Sequence, residues 1–264
     1  MQNINTVFSH VNNDLQTVND WFKANKITLN VGKSNYMLFT KSRFNLNDIP
    51  PLIIGQDEIH KSKEVKFLGI TLDQNLDWRA HTDFCLNRIA SGTYAINSVK
   101  RIFPRKQLIT LYNSLVLPYL TYGLILWGRT QKNILQKLRI AQNKTIRRIS
   151  NANYNTSAGP LYKTLGLMSL DDLYSYELTK FMYQNARSLL PSPLLALFIT
   201  NTDIHGHNTR HRLDAHVTHR RTKLASQSFT HQGPEIWLSV PQRIKDATSF
   251  ASFKKLLKLN IVSK

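Results

Sequence analysis

The hydrophobic pattern of this chain changes its period near Trp78, and this change sets the fold class. Before that residue, short runs such as "ITLNV" and "YMLFT" alternate apolar and polar residues, which is typical of strands. After it, apolar residues recur every three or four positions, as on one face of a helix. The sequence therefore predicts an α+β chain, in which a small antiparallel strand region is followed by a mainly helical region.

The segment before Trp78 combines one helix with two strand pairs. Helical spacing, ended by an Asn-Lys turn signal at 25–26, predicts a helix that includes Asp14, Leu15, Val18, Trp21 and Phe22. The runs "ITLNV" and "YMLFT" are separated by "GKSN" and are interpreted as a hairpin. A second strand pair is predicted in 51–73, where Gly55 and Gln56 separate two apolar runs and the segment ends in "FLGITLD".

The segment after Trp78 is predicted to be helical at 80–100, 105–127, 131–149 and 169–188, with a last amphipathic run, "SFASFKKLLKLNI", near the end. The apolar stretch 108–127 is almost long enough to cross a bilayer. Its polar residues and Pro118 favour a buried helix pair broken at the proline over a membrane helix. Three regions are expected, namely 1–78, 79–150 and 151–264, the last with a basic, His- and Arg-rich tail.

The charge of the chain is strongly positive and unevenly distributed. Its formal net charge is +19, and no acidic residue occurs between Asp83 and Asp171. On a helical wheel of 131–149, apolar residues share one face and basic residues the other, with Ile140 as an exception. This pattern favours contact with a nucleic-acid backbone over simple solubility or an anionic membrane surface. The candidate binding residues are Lys100, Arg101, Arg105, Lys106, Lys137, Lys144, Arg147 and Arg148.

Three long motifs carry a family resemblance. They are "DLQTVNDWFKANKITLNVGKSNYMLF", "VKFLGITLDQNLDWRAH" and "LYNSLVLPYLTYGLILWG", in this order, and two weaker blocks follow them at "PLYKTLGLMSLDDLYSYELTKFMY" and "GPEIWLSVPQRIKDATSFASFKKLLK". The series resembles the reverse transcriptases of LINE-type, non-LTR, jockey-like retrotransposons. The likeness covers almost the whole chain.

The resemblance implies that 1–78 is the rear of a polymerase palm and that the following helices are its thumb. Lys33 would be a general acid for the leaving pyrophosphate, although a simple turn lysine is an equal alternative. Phe67, Leu68 and Gly69 would form the primer grip, unless they are an ordinary hairpin. The implied partners are RNA and DNA, held as template–primer through their phosphates, and the N-terminal polymerase and endonuclease portion of the parent enzyme; no membrane is implied.

The metal-binding carboxylates of the family are not found in this sequence. Nucleotide addition needs carboxylates that hold two magnesium ions, and residues 1–13, where the family's Asp-Asp motif is expected, contain no Asp or Glu. The pair Asp171-Asp172 is predicted to cap a helix instead. We therefore expect no cofactor in this chain, although Mg²⁺ is expected for the full-length parent enzyme. The alternatives are a standalone, domesticated nucleic-acid-binding protein and a non-functional remnant of a mobile element.

The remaining candidates are histidines, aromatic residues and one cysteine. Five histidines are interleaved with arginines, which disfavours a metal site and favours a polar, RNA-contacting or disordered segment; they are His205, His207, His211, His216 and His219. Five aromatic residues at helical spacing are predicted to lie in the core rather than to stack on bases; they are Tyr94, Tyr112, Tyr119, Tyr122 and Trp127. The single cysteine, Cys85, fits a reducing compartment, and no secretory signal is evident, so an intracellular location in the nucleus or cytoplasm is expected.

Overall fold

The computed structural model describes residues 4–40, 49–204, 206, 212 and 214–263, without the side chains of 223 and 224. The chain forms two compact units, residues 1–81 and 82–264. Helices predominate and short strand pairs occur in the first unit, so the predicted α+β character is confirmed.

The first unit is built on one long helix, α1 (Ile4–Ala24), which packs against β2 (Ile53–Ile54). The predicted N-terminal helix is thus confirmed and extends to Ile4. Phe8 is buried with Leu52 in the core of the unit. The Asn12 side chain fixes the helix to the strand, because its amide donates to the Pro51 carbonyl at 3.0 Å and accepts from the Ile53 amide at 2.9 Å.

Three two-stranded ladders complete the described part of this unit. Their strands are β1 (Asn35–Tyr36), β2, β3 (Asp57–Glu58), β4 (His60–Lys61), β5 (Glu64–Phe67) and β6 (Ile70–Asp73). β2 and β3 pair in antiparallel fashion around Gly55 and Gln56, and β5 and β6 do so with Phe67 opposite Ile70. The predicted strand pair around Gly55 and Gln56 is confirmed, and the β5–β6 pair agrees with the hairpin that the resemblance implies at Phe67, Leu68 and Gly69.

The predicted hairpin between "ITLNV" and "YMLFT" is wrong. Val31–Lys33 forms a 3-10 turn, and the Asn30 side chain accepts a hydrogen bond from the Lys33 amide at 3.1 Å. This cap satisfies the backbone of a tight turn, so the chain does not continue as a strand. β1 instead pairs in parallel with β4, so the strand region is not purely antiparallel. The alternation in "ITLNV" reflects Leu29 and Val31, which pack against the core beside the turn.

Asp73 anchors the segment that leads from the strands to the next helix. Its buried carboxylate accepts hydrogen bonds from the amides of Asn75 at 3.0 Å, Asp77 at 3.1 Å and Trp78 at 2.8 Å. Leu76 and Trp78 have positive φ angles of 53° and 64°, a backbone conformation that side chains disfavour. The three hydrogen bonds to the carboxylate therefore stabilise a turn whose φ angles are disfavoured.

We expect Asp73→Ala to lower the free energy of unfolding by about 2 to 4 kcal/mol, because three amides lose a charged acceptor in a strained turn. Asp57→Ala is the control, since Asp57 is exposed on β3. Urea unfolding of both variants measures the difference. Equal stability of the two variants would contradict the anchoring role of Asp73.

The second unit contains most of the helices. Their bounds are α2 (Arg79–Val99), which begins just before the unit boundary, α3 (Arg105–Leu115), α4 (Leu117–Thr121), α5 (Leu124–Trp127), α6 (Lys132–Ile149), α7 (Ala158–Leu165), α8 (Leu170–Ala186), α9 (Ser192–Leu195), α10 (Asn201–Ile204), α11 (Lys223–Ser226), α12 (Phe229–Ser239), α13 (Gln242–Lys245) and α14 (Phe250–Val262). The predicted helical regions and the last amphipathic run are confirmed. The predicted break near Pro118 is also confirmed, because α3 ends at Leu115 and α4 begins at Leu117.

Helix α8 organises the core of the second unit. It packs against α4, α5 and α6, which precede it in the chain, and against α12 and α14, which follow it. Trp127 is fully buried, and its indole N–H donates to the Tyr122 carbonyl at 2.9 Å. Tyr183 on α8 stacks on Phe253 of α14 with ring centroids 4.1 Å apart. In the described part of the chain, no helix has both the length and the apolar character that a bilayer crossing requires.

Candidate nucleic-acid interface

Helices α2 and α6 run in the same direction. The hydroxyl oxygens of Thr93 and Thr145 are 2.6 Å apart, and Lys137 Nζ lies 3.8 Å from Asp83 Oδ1. These two contacts are separated by ten residues on α2 and by eight on α6. Only parallel helices in nearly equal register can make both contacts, so the C-terminal ends of α2 and α6 lie at the same end of the unit.

Helix α3 returns in the opposite direction from that end. Gly92 of α2 lies so close to the last turn of α3 that an added Cβ would be 2.9 Å from the Leu115 carbonyl oxygen. The Gln142 amide of α6 donates to the Tyr112 hydroxyl of α3 at 2.8 Å. Only residues 100–104 connect α2 to α3, and this link is too short for α3 to run parallel to α2 while its last turn contacts Gly92. α3 therefore begins where α2 and α6 end. We call this place the basic end, defined by residues 99–106 and 147–157.

Besides Arg147, whose side chain donates to the Thr156 carbonyl, the basic end carries five exposed or half-buried cations, namely Lys100, Arg101, Arg105, Lys106 and Arg148. None of these five residues has an ion-pair partner within the described ranges. The two segments that define the basic end contain no acidic residue. Lys100, Arg101 and Arg148 follow or end helices, where a positive charge complements the helix dipole. Mutual repulsion of unpaired cations is relieved when a polyanion binds, so this end suits a chain of phosphates.

The other three predicted binding residues on α6 differ in their surroundings. Lys144 is exposed one turn before Arg148. Lys137 is eleven residues before Arg148, about 16 Å along the helix, and is paired with Asp83. Arg147 is partly buried, and its Nε donates to the Thr156 carbonyl at 2.7 Å. Lys137 therefore lies away from the basic end, and Arg147 has a structural contact that the sequence did not indicate.

The predicted wheel of α6 agrees with its burial. Ile134, Leu135, Leu138, Ile146 and Ile149 are buried. Ile140 is 57% exposed, as its place among the polar residues predicted. The pattern of this helix is therefore set by packing on one side and by solvent on the other.

Several apolar side chains are exposed in the second unit. Ile102 and Phe103 are exposed at the tip between α2 and α3, and Tyr154 is 87% exposed in the loop after α6. The prediction that aromatic residues lie in the core is confirmed for Tyr112 and Trp127, and Tyr119 is partly buried. It is wrong for Tyr94 and Tyr122, which are 75% and 54% exposed. Tyr94 lies beside Thr93, whose hydroxyl already fills the contact with α6, so the tyrosine points outward.

Tyr154 was not among the residues predicted from the sequence. It lies in "NANYNTS", which has no helical period and follows the basic helix directly. An aromatic residue inside an Asn-rich turn next to a basic helix is the sequence signal that could have identified it.

The predicted residues of the first unit are exposed. Lys33 is exposed at the end of the 3-10 turn, next to an open cavity of about 750 Å³ that is lined by Thr28, Leu29, Asn30, Val31, Gly32, Asp57, Glu58 and His60. Phe67 and Leu68 are 61% and 74% exposed at the tip of the β5–β6 hairpin. Leu68 and Gly69 have φ angles of 47° and 84°, the left-handed pair that a two-residue hairpin turn requires.

The pair Asp171-Asp172 stabilises the start of α8, as predicted. Ser169 caps the helix through a reciprocal capping box with Asp172. Asp171 accepts two hydrogen bonds from the Arg139 guanidinium, at 2.8 and 2.7 Å, and this contact raises the pKa of Arg139. Within the described ranges, no three His, Cys, Asp or Glu residues are arranged to hold a metal ion. The His, Cys, Asp and Glu side chains of the described ranges therefore do not fit the two-magnesium centre that the resemblance implies, and we assign no step of nucleotide transfer to them.

The groups with strongly shifted pKa values belong to the core. Burial raises the pKa of the Cys85 thiol to about 12 and that of the Tyr112 hydroxyl to about 12. Burial lowers the pKa of His81, whose Nδ1 accepts from the Thr71 amide at 3.4 Å. The causes are desolvation in each case, so these shifts indicate packing rather than an activated nucleophile or base.

The histidine cluster is only partly described. His205, His207 and His211 lie outside the described residues. His216 Nδ1 lies 2.8 Å from the Asn201 side-chain oxygen, and His219 is exposed. The role predicted for this segment stays a prediction.

Comparison with known proteins agrees with the motifs. The chain is 24% identical over 156 residues to the probable RNA-directed DNA polymerase from transposon X-element of Drosophila melanogaster, a match that covers 58% of this chain and 17% of that protein. It is 27% identical over 173 residues to the RNA-directed DNA polymerase from mobile element jockey of the same species, covering 64% and 18%. The chain is similar to retrotransposon RNA-directed DNA polymerases.

A third such polymerase, the probable enzyme from transposon BS of Drosophila melanogaster, is 26% identical over 195 residues, covering 67% of this chain and 21% of that protein. The predicted resemblance to jockey-like, non-LTR elements is therefore confirmed. The chain spans about a fifth of the length of the polymerases that it matches. No protein-family model and no solved structure matches it.

Proposed function

We propose that this chain is a nucleic-acid-binding part of a non-LTR retrotransposon RNA-directed DNA polymerase, and that the basic end of its second unit holds the phosphates of a template–primer. The observation that carries this proposal is the convergence of Lys100, Arg101, Arg105, Lys106 and Arg148 at one end of three helices. Similarity to the polymerases of jockey, X-element and BS supplies the class of partner, RNA and DNA.

The helices α2, α3 and α6 would act as the thumb. Two of them end and one begins at the basic end, so cations on three elements face a backbone that passes across that end. Contacts of this kind fix the position of a duplex or strand and carry no sequence information. Binding with little sequence preference is therefore expected.

The proposed roles of the first unit are narrower. The exposed hairpin tip at Phe67, Leu68 and Gly69 has the rigid two-residue turn that a primer grip would need, because such a turn fixes the direction of its side chains. Lys33 as general acid stays a prediction that the exposed position of the residue permits. Phosphate binding by the second unit depends on neither role.

The proposal is tested by fluorescence anisotropy with labelled single-stranded RNA, single-stranded DNA and an RNA–DNA hybrid of one sequence and of its scrambled version. Affinity should fall steeply as salt rises from about 50 to 200 mM, with a logarithmic slope of about −3 to −5 for five phosphate contacts. The scrambled probes should bind equally well. Absence of binding at low salt, or binding that salt does not weaken, would refute the proposal.

A further inference from the structure

The loop between α6 and α7 presents one aromatic ring to solvent. Tyr154 is 87% exposed, although a tyrosine ring gains free energy when it is buried. The residues on both sides, Asn153 and Asn155, are also exposed and carry amides that can donate and accept hydrogen bonds. The loop therefore combines a flat apolar surface with polar groups of both kinds.

Hydrogen bonds and one positive φ angle fasten this loop to the end of α6. After α6, the Ala152 amide donates to the Arg147 carbonyl at 3.0 Å, and Asn151 has a positive φ of 52° that turns the chain. The Thr156 amide donates to the Asn153 carbonyl at 3.1 Å, which closes a turn with Tyr154 inside it. The Arg147 side chain then donates to the Thr156 carbonyl at 2.7 Å. Tyr154 is thus exposed on a turn that hydrogen bonds attach to α6.

The position of the turn indicates which class of ligand Tyr154 would contact. It belongs to the basic end, six residues after Arg148, and no acidic residue occurs between Asp83 and Asp171. A ligand that meets both features must carry negative charge and a flat apolar face. A nucleotide has both, and the face of its base is accessible in a single strand but stacked inside a duplex.

We propose that Tyr154 is a stacking platform for one base of a single-stranded RNA or DNA segment whose phosphates lie on the basic end, and that Arg147 is a positioning residue that holds this platform. The inference rests on the proposed phosphate binding. It adds a subsite that distinguishes a single strand from a duplex. In this arrangement, the exposed amides of Asn153 and Asn155 would contact the edge or sugar of the stacked nucleotide. The contact of Arg147 Nε with Thr156 adds this structural role, and the phosphate contact predicted for Arg147 from the sequence stays a prediction.

The test compares Tyr154→Ala, Tyr154→Phe and unmodified protein on a single-stranded oligonucleotide and on the duplex of the same sequence. Loss of one stacked base should lower the single-strand affinity of Tyr154→Ala about 5- to 150-fold. Tyr154→Phe keeps the ring and should bind within about twofold of the unmodified protein. Duplex affinity and the salt slope should not change, because no phosphate contact is removed.

Tyr122→Ala is the matched control. Tyr122 is an exposed tyrosine that lies beyond the far end of α3, after α4, and its substitution should leave single-strand affinity unchanged. A fluorescent adenine analogue in the oligonucleotide gives a second readout, since stacking on Tyr154 should quench it and Tyr154→Ala should restore its emission.

The outcomes separate the two proposals. If the unmodified protein binds with a steep salt slope but Tyr154→Ala binds single strands equally well, the stacking subsite is refuted and phosphate binding stands. If the unmodified protein binds no nucleic acid, both are refuted. Binding to anionic phospholipid vesicles that depends on Tyr154, without an effect on single strands, would also overturn the inference.

Discussion

Replacing Lys100, Arg101, Arg105 and Lys106 together with glutamine is expected to lower nucleic-acid affinity about 100- to 1,000-fold near 0.1 M salt. Each phosphate contact contributes about 0.7 to 0.9 to the logarithmic salt slope, so the slope should become shallower by about 3. All probe sequences should be affected alike, because phosphates carry no sequence information. Anisotropy titrations at several salt concentrations measure both quantities.

The matched control removes four positive charges elsewhere in the second unit. Lys132, Arg243, Lys255 and Lys258 are exposed and lie outside the basic end. Their replacement by glutamine lowers the net charge by the same amount, so it tests whether total charge alone sets the affinity. An affinity loss as large as that of the first variant would mean that the basic end has no special role.

The folded state should tolerate both sets of substitutions. The replaced side chains are exposed or half-buried, and changes at such positions usually alter the free energy of unfolding by less than about 0.5 kcal/mol each. Thermal unfolding of the variants therefore separates lost binding from lost structure. A large fall in unfolding temperature would indicate that the cations have packing roles.

The helical part of the fold followed from the sequence because its apolar residues obey one period over long segments. In α6, burial of Leu138 and Ile146 and exposure of Ile140 match the wheel. The strand pairs followed from the sequence only where a glycine marked the turn between them, as at Gly55 and Gly69. The hairpin proposed at 27–40 failed because Asn30 caps a 3-10 turn, a local side-chain contact that an alternating pattern does not reveal.

The candidate interface was predictable as a set of residues but not as a surface. The absence of acidic residues from 84–170 located the positive charge in the sequence. The parallel course of α2 and α6, set by Thr93 and Thr145, decides which of the cations meet. Lys137 is separated from Arg148 by eleven residues along α6 itself. Pairing of helices distant in sequence depends on tertiary packing, so no local pattern could have given it.

Gly128→Ala is expected to destabilise the second unit by about 2 to 4 kcal/mol, since the methyl group would overfill a packed site. An added Cβ would lie 2.5 Å from the Tyr174 ring on α8 and 2.6 Å from the Leu124 carbonyl oxygen. The carbonyl belongs to α5 and cannot move without breaking that helix, and Tyr174 is buried against its neighbours. The substitution therefore forces α5 away from α8, where Trp127 is fully buried.

Gly159→Ala is the control on the same background. Gly159 is exposed in the first turn of α7, and an added Cβ there meets nothing within 4 Å apart from its chain neighbours. Its substitution should change the free energy of unfolding by less than about 1 kcal/mol, because the helix preference of alanine is opposed by steric contact with the ring of Pro160, the next residue. Urea titrations should show a lower midpoint for Gly128→Ala and little change for Gly159→Ala, with unchanged slopes. Similar shifts for both variants would mean that helix propensity, rather than close packing of α5 on α8, limits the stability of this unit.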